Sequence, residues 1–144
     1  MSCALKPPRR SWELAFSAEP AEVASIRRVM RAHLELWGLS NLVADALLCV
    51  DELVSNVIDH VGVGTPASVT VSARGTRLRI EVRDPGAQAL PVLVRAGEDC
   101  EAGRGMVLVA ALTDLWGVQV DGAGKTTWCE LVTPRSTSGG GVRD

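Results

Sequence analysis

Tyrosine is absent from the 144 residues and phenylalanine occurs once. The other aromatics are four tryptophans, Trp12, Trp37, Trp116 and Trp128. They are too scattered for a nucleic-acid stacking platform and read as core and interface packing. Neither sign of charge prevails. The 17 acidic and 15 basic side chains leave a net charge of −2, which excludes a strongly electrostatic, non-specific DNA binder. Lysine occurs twice against 13 arginines, a bias that a GC-rich genome produces without a functional cause. No apolar run reaches the roughly 18–20 residues of a membrane helix. Met1–Arg10 is basic with no apolar stretch behind it, so no signal peptide and a cytoplasmic location are expected. Cys3, Cys49, Cys100 and Cys129 form no C-x-x-C pair, which excludes zinc-ribbon and thioredoxin-like sites. Free thiols, some packed as small hydrophobes, are expected.

The chain has enough apolar residues, 47%, for one folded domain. It is placed at residues 11–134, between flexible tails at 1–10 and 135–144. Ser11–Ser17 reads as an edge strand. A helix starts near Pro20, which suits a first turn, carries Val23, Ile26, Val29, Met30, Leu34 and Trp37 at helical spacing, and stops at Gly38. Ser40 is an N-cap candidate for a second helix, about Asn41–Val61. Val69, Val71 and Ala73, then Leu78, Ile80 and Val82, alternate with polar residues around a Gly75-Thr76 hairpin turn. Ala87–Ala102 reads as a long loop. A third helix, about Met106–Thr113, and a closing hairpin, about Leu115–Val120 and Lys125–Thr133, complete the chain. The pattern indicates a two-layer α/β sandwich.

Three constellations carry possible chemistry. Glu52, Asn56 and His60 recur at i, i+4 and form one row beside the Val50/Val54/Val57 stripe. An Asn carbonyl is a hard oxygen suited to Mg²⁺, and a Glu one turn away can polarise a hydroxyl. An ordinary polar helix flank explains the same spacing, and His60 also fits as a structural histidine near a helix end. Asp84 shares the parity of Leu78, Ile80 and Val82, so its carboxylate points inward, where it needs a partner. A ligand amino group, such as that of adenine, is one; a turn aspartate in Asp84-Pro85-Gly86 is the alternative. Gly86 fits both, allowing a turn or a close backbone approach. Gly103-Arg104-Gly105 before Met106 offers helix N-terminal N–H groups and a guanidinium to phosphate, or is simply a loop. It is neither a P-loop nor a dinucleotide-binding fingerprint.

In this order, Glu52-x-x-x-Asn56, Asp84-x-Gly86 and Gly103-x-Gly105 resemble the three nucleotide-binding boxes of the GHKL ATPase superfamily. The stretches "DELVSNVIDH", "IEVRDPG", "GRGMVLVAALTDLWGV" and "GKTTWCEL" are similar to the small anti-sigma factor serine-protein kinases, including the stand-alone actinobacterial type. The resemblance spans about Trp12–Val132. It implies a Bergerat-type fold, a mixed, mainly antiparallel sheet with three helices on one face. It implies ATP and Mg²⁺ as ligands, with Mg²⁺ at Asn56 and Glu52 as the catalytic residue, acting as general base or orienting the attacking group. It places the adenine amino group at Asp84, with Gly86, Gly103, Arg104, Gly105 and Met106 around the nucleotide and Ala87–Ala102 as its lid. The implied partners are a sigma factor or an anti-anti-sigma protein of the STAS type, in a homodimer without direct nucleic-acid contact. Some relatives place a pocket threonine after a glycine in the last strand. Here the order is Gly124-Lys125-Thr126-Thr127, and parity with Cys129 and Leu131 turns Lys125 and Thr127 inward.

Overall fold

The computed structural model describes residues 10–86 and 101–133, with backbone alone for 101–106. The expected tails and residues 87–100 of the expected lid lie outside the described residues. Arg10, assigned to a tail above, is the first residue of a strand.

The elements run β1 (Arg10–Ser17), α1 (Pro20–Leu36), α2 (Val43–His60), β2 (Pro66–Arg74), β3 (Arg77–Asp84), α3 (Glu101–Leu112), β4 (Leu115–Asp121) and β5 (Gly124–Val132). The strands form one five-stranded sheet in the order β1-β2-β3-β5-β4. The expected α/β sandwich, a mainly antiparallel sheet with three helices, is what the structure shows, and among the described residues every strand pairing is antiparallel. After β3 the chain passes through α3 to the edge strand β4, and β5 turns back from β4 to lie between it and β3.

Alternation along the strands divides the sheet into two faces. Phe16, Val69, Val71, Ala73, Leu78, Ile80, Val82, Cys129 and Leu131 are buried on the inner one. The outer face carries a polar lattice in which Arg79 bonds both Glu81 and Glu130. Trp128 belongs to this outer face, with the Arg79 guanidinium 4.2 Å from its ring centroid. Gly117, opposite it in the ladder, leaves room for the indole, because a Cβ there would lie 2.8 Å from the ring.

The helices cover the inner face. Ile26, Met30 and Leu34 form the buried side of α1. Gly38, at φ +77°, ends it in a Schellman turn: its N–H donates to Glu35 and that of Leu39 to Leu34. Ser40 does not cap α2. A 3₁₀ turn, Ser40–Leu42, intervenes, and α2 begins without a side-chain cap bond. Its entry is held by burial of Leu39, Leu42 and Val43 instead. Helix α2 is the central element, with Ala46, Leu47, Cys49, Val50, Leu53, Val54 and Val57 all buried. The two-residue loop between β2 and β3 has Gly75 at φ +60° and no positive φ at Thr76, which is the type II′ pattern.

Candidate functional site

The last turn of α2 and the end of β3 meet. A Cβ on Gly86 would lie 2.8 Å from Val61 Cγ2, immediately past the helix. Glycine at 86 therefore lets the chain leaving β3 lie against the end of α2. Helix α3 packs along α2 as well. Two of the segments singled out from the sequence, the end of β3 and α3, thus pack on α2, which carries the other.

On α2, Glu52 is half-buried and Asn56 is buried. Burial pushes the Glu52 carboxyl above its ordinary range, and the adjacent charges of Asp51 and Asp59 push it the same way. The Nδ2 of Asn56 is buried with no hydrogen-bond partner among the described residues, and so is Nε2 of His60 one turn later. Buried polar atoms are nearly always paired. Two orphans in one row, four residues apart, mark a strip that the described protein atoms do not satisfy. As placed, Asn56 offers a donor to an anionic oxygen. Rotation of its amide by half a turn offers the carbonyl instead.

Asp84 points inward, as its parity requires, and is buried. Its partner is not left to a ligand. Lys125, its direct neighbour across the β3–β5 ladder, donates from Nζ to Oδ1 at 3.1 Å and to Oδ2 at 3.0 Å. The N–H of Gly86 donates to Oδ1 at 2.7 Å, so Asp84 also makes the Asx-type turn that was the alternative reading. The lysine is 3% exposed and the aspartate 1%. Inward parity identified Lys125 and Thr127 beforehand, and both are buried. The pairing itself was missed, because parity gives a side chain's face but not its opposite number. Gly124 supplies the closeness: a Cβ there would lie 2.2 Å from the Asp84 carbonyl oxygen.

The third segment lies differently from expectation. Helix α3 begins at Glu101, not near Met106, so Gly103, Arg104, Gly105 and Met106 are helical positions and not the loop before a helix. Glycine costs a helix only about 1 kcal/mol relative to alanine, which packing on α2 outweighs. The N–H groups left free of intrahelical bonds are those of the first four residues, which include Gly103 and Arg104 but not Gly105 or Met106. The side-chain role expected of Arg104 lies outside the described part of the molecule.

Among the described residues no group of three or more His, Cys, Asp or Glu side chains could cage a metal ion. Mg²⁺ does not need one, since it commonly takes one or two protein oxygens and completes its shell with waters and phosphate oxygens. The Asn56 end of the site fits such an ion. The Asp84 end does not present a free carboxylate to a base. Among the described residues no helix is long and apolar enough to cross a membrane.

A family model described as a histidine kinase-like ATPase domain matches residues 16–130. That span contains Glu52, Asn56, Asp84, Gly86, Gly103, Gly105 and Lys125. An uncharacterized protein of Streptomyces coelicolor is 42% identical over 82 residues, which cover 55% of this chain and 77% of that protein.

Proposed function

Because this chain belongs to the family of histidine kinase-like ATPase domains, we propose that it is a Mg-ATP-binding regulator of the anti-sigma factor serine-kinase type. The observation that carries this reading is the buried Asn56 Nδ2, without a hydrogen-bond partner among the described residues and one turn beyond a half-buried Glu52. In it, Asn56 holds Mg²⁺ through its side-chain carbonyl. The free N–H groups at the start of α3, those of Gly103 and Arg104 included, receive phosphate oxygens. Glu52, made more basic by burial and by Asp51 and Asp59, takes the proton of an incoming serine hydroxyl. What ATP would supply when bound is the γ-phosphoryl group, passed to a serine hydroxyl of an anti-anti-sigma partner of the STAS type as the β–γ P–O bond breaks and ADP leaves. Phosphoryl transfer needs chiefly positioning and charge neutralisation, which these residues provide. The phosphate adds charge to that partner's interface and weakens it, and the released protein, as a homodimer in the cytoplasm, sequesters a sigma factor.

A second reading, a non-catalytic ATP-binding interaction module, is favoured by the closure of Lys125 on Asp84, which engages the carboxylate that a base amino group would otherwise meet. Calorimetric titration with ATP, with and without Mg²⁺, tests what the two share. Metal-dependent binding that is lost in Asn56→Ala supports the site; no binding at millimolar ATP refutes it. Labelled ATP mixed with the protein and a candidate partner then separates them, since only the kinase labels the partner.

A further inference from the structure

We propose that the outer face of the sheet carries a phosphate-binding site, separate from the nucleotide pocket, formed by Arg74, Arg77 and Arg79 at the β2–β3 hairpin. These three line a surface cleft of about 160 Å³ together with Ser72, Ala73 and Glu130. Arg74 and Arg77 are direct partners in the β2–β3 register, and both are exposed. Like charges opposite each other in a ladder repel, so an anion shared by the two guanidiniums offsets a repulsion built into the hairpin. Arg77 and Asp84 stand at opposite ends of β3, about 20 Å apart at the rise of a strand, and their parity puts them on opposite faces. The site therefore does not rest on the nucleotide reading above.

Arg79 is held in place beforehand. Its guanidinium lies over the Trp128 ring and bonds both Glu81 and Glu130, so it loses little freedom on engaging a ligand. Glu130 accepts from Arg77 at one oxygen and from Arg79 at the other. Glu81 does not line the cleft, whose own side chains carry three positive charges and one negative. That surplus suits a dianion. Each guanidinium has five N–H donors. Side-chain hydrogen bonds among the described residues use one of Arg77's, two of Arg79's and none of Arg74's. The remaining donors, set in planar forks, match the oxygens of a phosphate group, and the Ser72 hydroxyl adds another donor.

The test is an NMR titration of the full chain with inorganic phosphate in about 0.15 M sodium chloride, which screens diffuse charge attraction. Saturable shifts at Arg74, Arg77, Arg79 and the Trp128 indole N–H are expected, with a dissociation constant of about 1 mM or tighter. Arg74→Gln combined with Arg77→Gln is expected to weaken binding at least about tenfold. Should that pair not fold, Arg74→Gln, which removes no hydrogen bond among the described residues, is expected to weaken it at least about threefold. No saturable shift at these residues by about 20 mM phosphate overturns the proposal. So does an affinity unchanged in the variants, or a set of shifts confined to the surroundings of Asn56. A short peptide carrying phosphoserine separates the two sources of the group. Binding at least about fivefold tighter than inorganic phosphate identifies a phosphorylated chain as the ligand, equal or weaker binding identifies free phosphate, and both uphold the site.

Discussion

Lys125 and Asp84 face each other across the β3–β5 ladder and share two hydrogen bonds out of reach of solvent. Removing one member of such a pair leaves an uncompensated buried charge, at a cost of about 3–5 kcal/mol, whereas replacing both by uncharged groups is often close to neutral. Lys125→Met is accordingly expected to lose about that much stability in urea denaturation. Asp84→Asn combined with Lys125→Met is expected to recover most of the loss. Equal losses in the single and double variants would show that the pair's charges are not what holds this corner.

Glu52 carries the opposite burden. Its folded-state pKa is raised above the ordinary 4.5, so the folded chain binds this proton more tightly than the unfolded chain. Its contribution to stability is therefore most favourable below that ordinary value and declines as pH rises through the window above it. Glu52→Gln should melt higher than the parent at pH 7, and the gap should close by about pH 4. The same variant should retain nucleotide binding while phosphorylation of a partner falls by at least about a hundredfold, within the range of lost general-base catalysis. Loss of nucleotide binding in Glu52→Gln would remove the base role.

At the turn between β4 and β5 the sign is reversed. Arg83 bonds the Asp121 carboxylate, and the N–H groups of Ala123 and Gly124 add to it, holding its pKa down at about 2 from an ordinary 3.8. This stabilisation is complete above the ordinary value and is lost as pH falls towards 2. A carboxyl titration followed by NMR should place the Asp121 midpoint near 2. The melting difference between the parent and Asp121→Asn should be present at pH 7 and absent at about pH 2. A midpoint near 3.8 would show that the Arg83 contact does not persist in solution.

Gly86 tests whether packing or ligand contact explains that glycine. A Cβ there would press on both γ-methyl groups of Val61, at 2.8 and 3.1 Å. Gly86→Ala is expected to cost about 1–3 kcal/mol through overpacking, and Val61→Ala in the same chain should relieve most of it. A double-mutant cycle on melting measures the coupling. Additive losses would place the strain elsewhere, the next contact being Asp84 Oδ1 at 3.1 Å.

Strand alternation made the sheet legible before any coordinates. The inward parity of Leu78, Ile80, Val82 and Asp84 corresponds to buried positions in each case. The Gly38 stop, the Pro20 start and the Gly75-Thr76 hairpin were equally readable, because each depends on local backbone chemistry. The start of α3 was not, because glycines that ordinarily punctuate a helix are carried here inside one that packs on α2. The Ser40 cap failed for a related reason: a 3₁₀ turn buried through Leu42 does the work that a side-chain oxygen was expected to do. The Asp84–Lys125 pair was half legible. Each residue's face could be read from its own strand, but their opposition depends on a β3–β5 register set across forty residues of intervening chain.

Helix α2 carries Val43, Val50, Val54, Val57 and Ile58, β-branched residues that weaken a helix standing alone. Its order is borrowed from the sheet and helices around it, and Glu52 and Asn56 ride on that borrowed order. Occupancy and folding are then two readings of one equilibrium. A ligand held by Asn56 only in the folded chain adds RT ln(1 + [L]/Kd) to stability, about 2.7 kcal/mol at a hundredfold excess over Kd. The melting temperature of the whole chain thereby serves as a gauge of how full its pocket is.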